Sequence, residues 1–490
     1  MRTVLNDYKI ARRYILDNYK FILNNRIQFY LDFNWKITIM SNNIELKKGL
    51  NIPIEGVAAK QVKKVVSTDV VALKPTDFRG LVPKLLVREG DKVLAGSPVL
   101  ADKESPEILF TSPVSGVVTE IVRGEKRKLL EVRIKADTTQ EYVDFGVQKV
   151  EDLSAAEVKE LLLKSGLWTA LVQRPYGIVA DPELRPKAIF VSAFNTAPLA
   201  AEVDFVLEGE FANVQAGVNA LAKLTDGGVH VSFNSQNYSS SPLHKLENAI
   251  VHTFSGKHPA GNVGIQIHHI SPIKKGETVW TVNPVLLAAI GKLFNTGKVN
   301  LSRKVAVTGP EAKGAAYVEA LPGTAIKVLS DFYTSEKKLR FISGDVLTGT
   351  NVGENGFLGF YDNQVTIIEE GDKYEFFGWA KPLRSSQFSA SRTYFSWLTP
   401  NKKYGMDTNL HGGPRAFVMS DVYGKVLPMN IFPVYLTKAC LEGNIDKMEQ
   451  LGIYEVIEED FALCEYVCPS KIEIQSILSE GIALMLKEMA

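Results

Sequence analysis

Only three of the 490 residues are cysteine. Three thiols cannot build a disulfide framework, which excludes the small stapled secreted scaffolds and points to a reducing compartment. Excess charge of either sign is also missing, because 56 Lys plus Arg stand against 55 Asp plus Glu for a formal net charge of +1. A chain this neutral offers no electrostatic case for nucleic acid or another polyanion as partner. No apolar run reaches the ~20 residues needed to cross a bilayer. "NPVLLAAIGKLF", residues 283 to 294, is among the longest. Work at a membrane would therefore require another subunit to hold the chain there. Nor does a G-x-G-x-x-G follow any strand-like run, so the usual loop-to-helix phosphate cradle is absent.

The first 39 residues contain neither glycine nor proline. They also lack the uninterrupted apolar core and small-residue cleavage site of a signal peptide. The composition changes at Met40, and residues 1–39 read as an extension outside the fold, with an amphipathic surface helix as the alternative.

What is present suits an ordinary globular protein, with 45% hydrophobic and 23% charged residues. The length exceeds one core and suggests about three or four domains. Within 40–145, the stretch from 82 to 135 reads as short strands punctuated by Gly90-Asp91, Gly96, Ser112-Pro113 and Ser115-Gly116. Its G-D-x-V-x-x-G and S-P-x-S-G-V-V phrases resemble the barrel-sandwich hybrid of biotinyl and lipoyl carriers. Lys103 sits near the tip of the intervening hairpin, where carriers hold the modified lysine, but the hairpin is too long and the flanking Met residues of biotin carriers are missing, so an unmodified exposed lysine in a purely architectural domain is the expectation. From 146 to 300, helical and strand-like runs alternate, which implies a parallel, Rossmann-like sheet. Residues 301–385 resemble a ubiquitin-like, soluble-ligand-binding β-grasp module followed by a β-rich segment. Residues 386–490 read as a C-terminal helical domain.

That last domain holds "EEDFALCEYVCPSKIEI", residues 458 to 474. A four-thiolate iron–sulfur cluster is commonly held by C-x2-C-x2-C-x3-C-P. Cys464, Cys468 and Pro469 keep the end of that phrase, while Glu458 and Phe461 stand where the other two thiolates belong. Spaced four apart, Cys464 and Cys468 share one face of a helix, so a buried thiol pair is the expectation; a shared iron and reversible redox chemistry are the alternatives. His268 and His269 are adjacent, and on a strand they would face opposite ways and could not hold one metal. His411 and Arg415 lie in the Gly-rich turn "HGGPR", for which a structural turn with a polar cap is the expectation.

The order of modules, together with "HPAGNVGIQIHHISPI" (258–273), "AIGKLFNTG" (289–297), "HGGPRAFV" (411–418) and "CEYVCPSK" (464–471), resembles the A-subunit family of bacterial Na⁺-translocating NADH:quinone reductases. That family is related to the flavin-binding NADH dehydrogenase subunit of respiratory complex I and to the C subunit of the Rnf complex. Those relatives read S-G-L-R-G-R-G-G-A-G-F-P where this chain has "SGLWTALVQRPYG" (165–177), and N-A-D-E-G-E-P where it has "SAFNTAPLA" (192–200). Trp168, Gln173 and Arg174 replace small residues there, and side chains in such a loop block close backbone approach to a phosphate. The flavin site is therefore expected to be filled in. The resemblance implies a membrane-peripheral subunit on the cytoplasmic face of the bacterial inner membrane that carries neither flavin nor iron–sulfur centre. NADH, flavins, iron centres and quinone, either ubiquinone or menaquinone, are then expected elsewhere in the complex. It implies docking on an integral membrane subunit, with His411 and Arg415 as the candidates for a quinone or partner contact. Two alternatives stay open: an Rnf-type electron-input subunit, which an absorbance spectrum would reveal, and a carrier protein, which would show added mass on Lys103.

Overall fold

The structure is a computed structural model that describes residues 39–489, except 67, 335, 373–383, 385–386, 393–394 and 419–420. The expectation for residues 1–39 lies outside the described residues, apart from Ile39, which opens the first strand.

Between residues 70 and 136, strands too short to bury a face alone stack into two small sheets. Val70–Leu73, Lys92–Val93, Gly116–Arg123 and Leu129–Ala136 form a four-stranded sheet, and Pro83–Leu85, Pro98–Asp102 and Leu109–Thr111 a three-stranded one. Val71, Val99, Phe110, Val118, Val132 and Ile134 share the core around them. Gly116 is required by close approach, since a Cβ there would lie 2.0 Å from the Lys135 carbonyl oxygen. Lys103 is exposed in the turn after Pro98–Asp102. Buried Asp102 fixes that turn by accepting from the amides of Ser105 at 2.9 Å and Val82 at 2.7 Å.

The α/β module is a seven-stranded sheet in the order Ile39–Glu45, Ala249–Ser255, Val229–Asn234, Ile189–Ser192, Val279–Val282, Leu171–Arg174, Ile178–Val179. The first five strands are parallel, Leu171–Arg174 runs antiparallel to them, and Ile178–Val179 pairs antiparallel with Leu171–Arg174. Strands covered on both faces need apolar side chains at every position. Ile189, Val191 and Val231 accordingly share a core with Val218 and Leu287 of helices Phe211–Ala222 and Pro284–Thr296. Phe190 and Val279 pack with Ile267 of helix Val263–Ile270 on the other face. The two helices on the first face approach backbone to backbone. A Cβ at Gly291 would lie 1.7 Å from the Asn213 carbonyl oxygen, and one at Gly217 would lie 2.4 Å from that of Leu287.

Residues 40–65, read in the sequence with the barrel-like module, are divided between two other sheets. Ile39–Glu45 edges the α/β sheet, and Ala59–Val65 edges a six-stranded sheet beside Ala316–Ala320. That sheet runs Thr350–Asn351, Leu339–Ser343, Gln364–Glu369, Arg303–Thr308, Ala316–Ala320, Ala59–Val65. The C-terminal part is helical, with Pro433–Glu442, Ala462–Val467 and Ile474–Met489 among its helices. It closes around Leu436, Met448, Phe461, Cys464, Leu478 and Ile482.

Candidate functional site

Strands Ile189–Ser192 and Val279–Val282 are neighbours, but the sheet continues from them in opposite directions. At such a reversal the connections after the two strands part, which leaves a crevice outside their carboxyl ends where open α/β sheets bind ligands. A cavity of about 460 Å³ lies here. Ser192, Phe194 and Asn195 follow the first strand into its wall, and Asn283 follows the second. The other modules close it: Asp77 and Arg79 come from the barrel-like part, Asp345 and Asn363 from the six-stranded part, and Glu459 from the helical part.

Arg174, at the end of strand Leu171–Arg174, is 1% exposed. It donates through Nη1 to Asp460 Oδ2 at 2.8 Å and through Nη2 to Glu459 Oε1. Asp460 also accepts from the Ile457 amide at 3.0 Å and sits against the first turn of helix Val263–Ile270. A carboxylate gains there from the partly positive helix end. Gly264 makes the room, because a Cβ on it would lie 2.4 Å from Asp460 Oδ1. Next in sequence, Glu458 accepts from Arg79 Nη1 at 2.5 and 2.8 Å. The EED triplet thus binds the helical part to two other modules, and both arginines in the cavity wall are spent on it.

Burial pushes the Glu459 carboxyl up to about 7, with Arg174 pulling it down and Asp460 pushing it further up. The side chain keeps 35% of its surface exposed, so water beside it tempers the push. Burial also raises Asp77 and Asp362. Buried His258 falls to about 4 and is neutral at pH 7. Because the folded Glu459 keeps its proton up to about 7 against 4.5 when exposed, the folded chain binds the extra proton between those values. Stability therefore declines as pH rises through that window. Glu459→Gln is expected to flatten the decline, read as urea midpoints at about pH 5 and about pH 8. An unchanged slope in the variant would assign it to another group.

Helix Pro284–Thr296 opens beside the cavity with its first two positions accounted for. Asn283 Oδ1 accepts from the Val285 amide at 2.9 Å, and Pro284 has no N–H to offer. With both arginines paired to carboxylates, the wall offers a flavin phosphate no unpaired cation among the described residues.

Three family domains match the chain in order. They are the NqrA N-terminal barrel-sandwich hybrid domain over 44–137, the NqrA second alpha/beta domain over 153–299, and the NQRA C-terminal domain over 304–354. The A subunit of the Na(+)-translocating NADH-quinone reductase from Rhodopirellula baltica is 38% identical over 449 residues, covering 90% of this chain and 98% of that one. The protein of the same name from Haemophilus influenzae is 37% identical over 449 residues, covering 91% and 100%. The chain belongs to this A-subunit family. Its relatives are named as parts of a multi-subunit complex of oxidoreduction and sodium transport. A solved NAD+-reducing [NiFe]-hydrogenase chain overlaps 62% of this one at 10% identity and a TM-score of 0.32, too distant to carry an argument.

Of the large residues expected to fill a flavin site, Trp168 and Gln173 do not line the cavity, while Arg174 does. Trp168 packs edge-to-face on Trp280 at 5.3 Å and donates to the Ala180 carbonyl at 2.7 Å. Gln173 accepts from the Asp181 amide at 3.2 Å, and Arg174 is held by the acids described above. His268 and His269 lie on helix Val263–Ile270, not on a strand. His268 Nδ1 is 2.7 Å from Glu455, and His269 Nε2 is 2.8 Å from the Pro428 carbonyl, so they serve separate contacts. Cys464 lies on helix Ala462–Val467 and Cys468 caps its end, both fully buried. Tyr423 donates to Cys468 Sγ at 2.9 Å, and burial pushes the Cys464 thiol well above its ordinary range. Phe461, at a lost thiolate position, is buried in that core. These residues do not fit a four-thiolate cluster. His411 is exposed in its turn, 4.0 Å from Asp407, and the Arg415 amide donates to the Ser470 carbonyl at 2.9 Å; neither residue lines the cavity. Sequence reasoning does not find Glu459, Asp460, Asp77 or Asp362. The EED run at the degenerate cluster motif is the one visible signal.

Proposed function

We propose that this chain is the peripheral A subunit of a Na⁺-pumping NADH:quinone oxidoreductase, which couples electron transfer from NADH to quinone to Na⁺ export. It is itself free of flavin and iron–sulfur centre and inactive in isolation. It docks on integral subunits at the cytoplasmic face of the inner membrane, with His411 and Arg415 on the turn that meets quinone or partner. The observation that carries the cofactor-free reading is the use made of the lost cluster positions: Glu458 is bonded to Arg79 and Phe461 is core, so neither place can take back a thiolate without breaking the packing. Among the described residues no helix is long and apolar enough to cross a membrane, which makes docking through protein contacts the supported mode.

The test is to express the chain with and without its candidate partner subunits and follow it through membrane and soluble fractions. It is expected on membranes only when the integral subunits are present, and the purified chain is expected to be colourless. Retention on membranes lacking every partner, lost on removal of residues 1–38, would overturn the docking reading in favour of an N-terminal anchor. A flavin or iron–sulfur absorbance would overturn the cofactor-free reading.

A further inference from the structure

We propose that the turn Phe395–Leu398 sets its apolar side chains into an anionic lipid surface. Phe395, Trp397 and Leu398 are 52%, 51% and 60% exposed. Three large apolar side chains left together in water are costly, and such a group rimmed by polar residues marks a contact surface. The contrast within the chain is sharp, since Trp168 and Trp280 are 1% and 2% exposed. The turn is held from behind. Ser396 is buried, its Oγ accepts from the Ser389 amide at 3.1 Å, and its carbonyl accepts from the Thr399 amide at 3.1 Å.

Charge selects the partner. From Arg384 to Met406 the sequence holds four cations and no acid, in a chain whose totals are 56 and 55. Whole-chain neutrality hides this local excess. Arg392, Lys402 and Lys403 are exposed. The Lys402 amide donates to the Thr399 carbonyl at 3.0 Å and its ammonium lies 5.3 Å from the Tyr404 ring centre, which keeps the two lysines beside the apolar turn. The core of a protein interface is depleted in lysine. Ammonium groups on long stems around Trp and Phe suit a bilayer surface instead, where the rings sit at the level of the headgroups and the lysines reach the phosphates. The patch also adjoins the turn of His411, because Gln387 Nε2 is 3.5 Å from His411 Nε2. The inference rests on the membrane-peripheral reading above and adds to it. One patch of this kind binds reversibly and marginally, and stable attachment takes a second signal, here the integral subunits.

The purified full-length chain is mixed with vesicles of equal parts phosphatidylglycerol and phosphatidylcholine, and with vesicles of phosphatidylcholine alone. Binding is read by co-sedimentation and by quenching of tryptophan fluorescence with brominated lipid. Half-binding is expected at on the order of 1 mM lipid on the anionic vesicles, and binding at least about tenfold weaker on the neutral ones or at about 0.5 M salt. Lys402→Gln combined with Lys403→Gln is expected to weaken binding about 25-fold, at about fivefold per charge. Phe395→Ser combined with Trp397→Ser is expected to weaken it at least about tenfold, and the lysine pair serves if that variant fails to fold. Trp397→Phe is expected to keep binding within about threefold while removing most of the quenching. No binding to the anionic vesicles would overturn the proposal, and would leave the docking reading standing if the chain still follows the integral subunits into the membrane fraction. Equal binding to both vesicles, unchanged binding in the folded lysine pair, or quenching that survives Trp397→Phe would also overturn it. Loss of docking on the integral subunits in Phe395→Ser with Trp397→Ser, when the parent binds no vesicle, would assign the turn to a protein contact instead.

Discussion

Arg174→Ala is expected to destabilise the chain by about 3–5 kcal/mol, the range for removing one partner of a buried ion pair. Asp460 is 1% exposed and Arg174 is its only cationic partner among the described residues, so truncation leaves a carboxylate buried with the Ile457 amide as its remaining donor. Restoring water there would mean separating the helical part from helix Val263–Ile270. The cost should fall on the interface between modules, so the urea transition is expected to lose cooperativity as well as shift. Arg174→Lys is expected to recover less than half of the loss, because one ammonium cannot repeat the paired geometry of a guanidinium serving two carboxylates. Arg174→Met combined with Asp460→Asn and Glu459→Gln removes the orphaned charges and is expected to be more stable than Arg174→Ala alone. A single alanine variant within about 1 kcal/mol of the parent would show that water reaches Asp460 freely.

Gly291→Ala is expected to cost at least about 3 kcal/mol, at or beyond the upper end for overpacked cores. The new methyl would sit 1.7 Å from a backbone oxygen of Asn213, and a helix backbone cannot swing aside as a side chain can. The whole contact between helices Phe211–Ala222 and Pro284–Thr296 must open, and it carries much of one face of the central sheet. Gly424→Ala provides the control. It also lies in a helix, Val422–Val426, but nothing is within 4 Å of the added methyl. Helix propensity alone then predicts a gain of up to about 1 kcal/mol. Equal effects of the two substitutions on the urea midpoint would refute the close-crossing account.

Local chemistry made much of this visible in the sequence. Ser154 and Glu157 announce a capping box, and both halves of it form. The Asn-Pro before "VLLAAIGKLF" and the Gly after "FNT" mark the ends of a helix, which runs Pro284–Thr296 with Gly297 at φ 68°. Other features are decided by partners far along the chain. "VGIQIHHI" is apolar enough to pass for a strand, and only its position against Phe190 and Val279 makes it a helix. The strand Ile39–Glu45 finds its sheet through residues about 250 onward, which no local periodicity reports. The cavity was hidden for a related reason. Residue size in a loop says what could fill a space, while direction depends on what waits elsewhere, here Trp280 for Trp168 and the EED acids for Arg174.

The placement of residues 39–65 carries a consequence for synthesis on the ribosome. Asn43 and Thr253 are 210 positions apart, and Lys63 and Gly314 are 251. At roughly 5–20 residues per second, the first strand waits roughly 10–40 s for its partner to emerge, and the second somewhat longer. Meanwhile the strands between 70 and 136 have all their neighbours close at hand and can close on themselves within a fraction of that time. The nascent chain thus exposes two unpaired strand edges ahead of an already folded unit. That interval, more than the finished protein, is where this polypeptide is most open to misassembly and most in need of a chaperone.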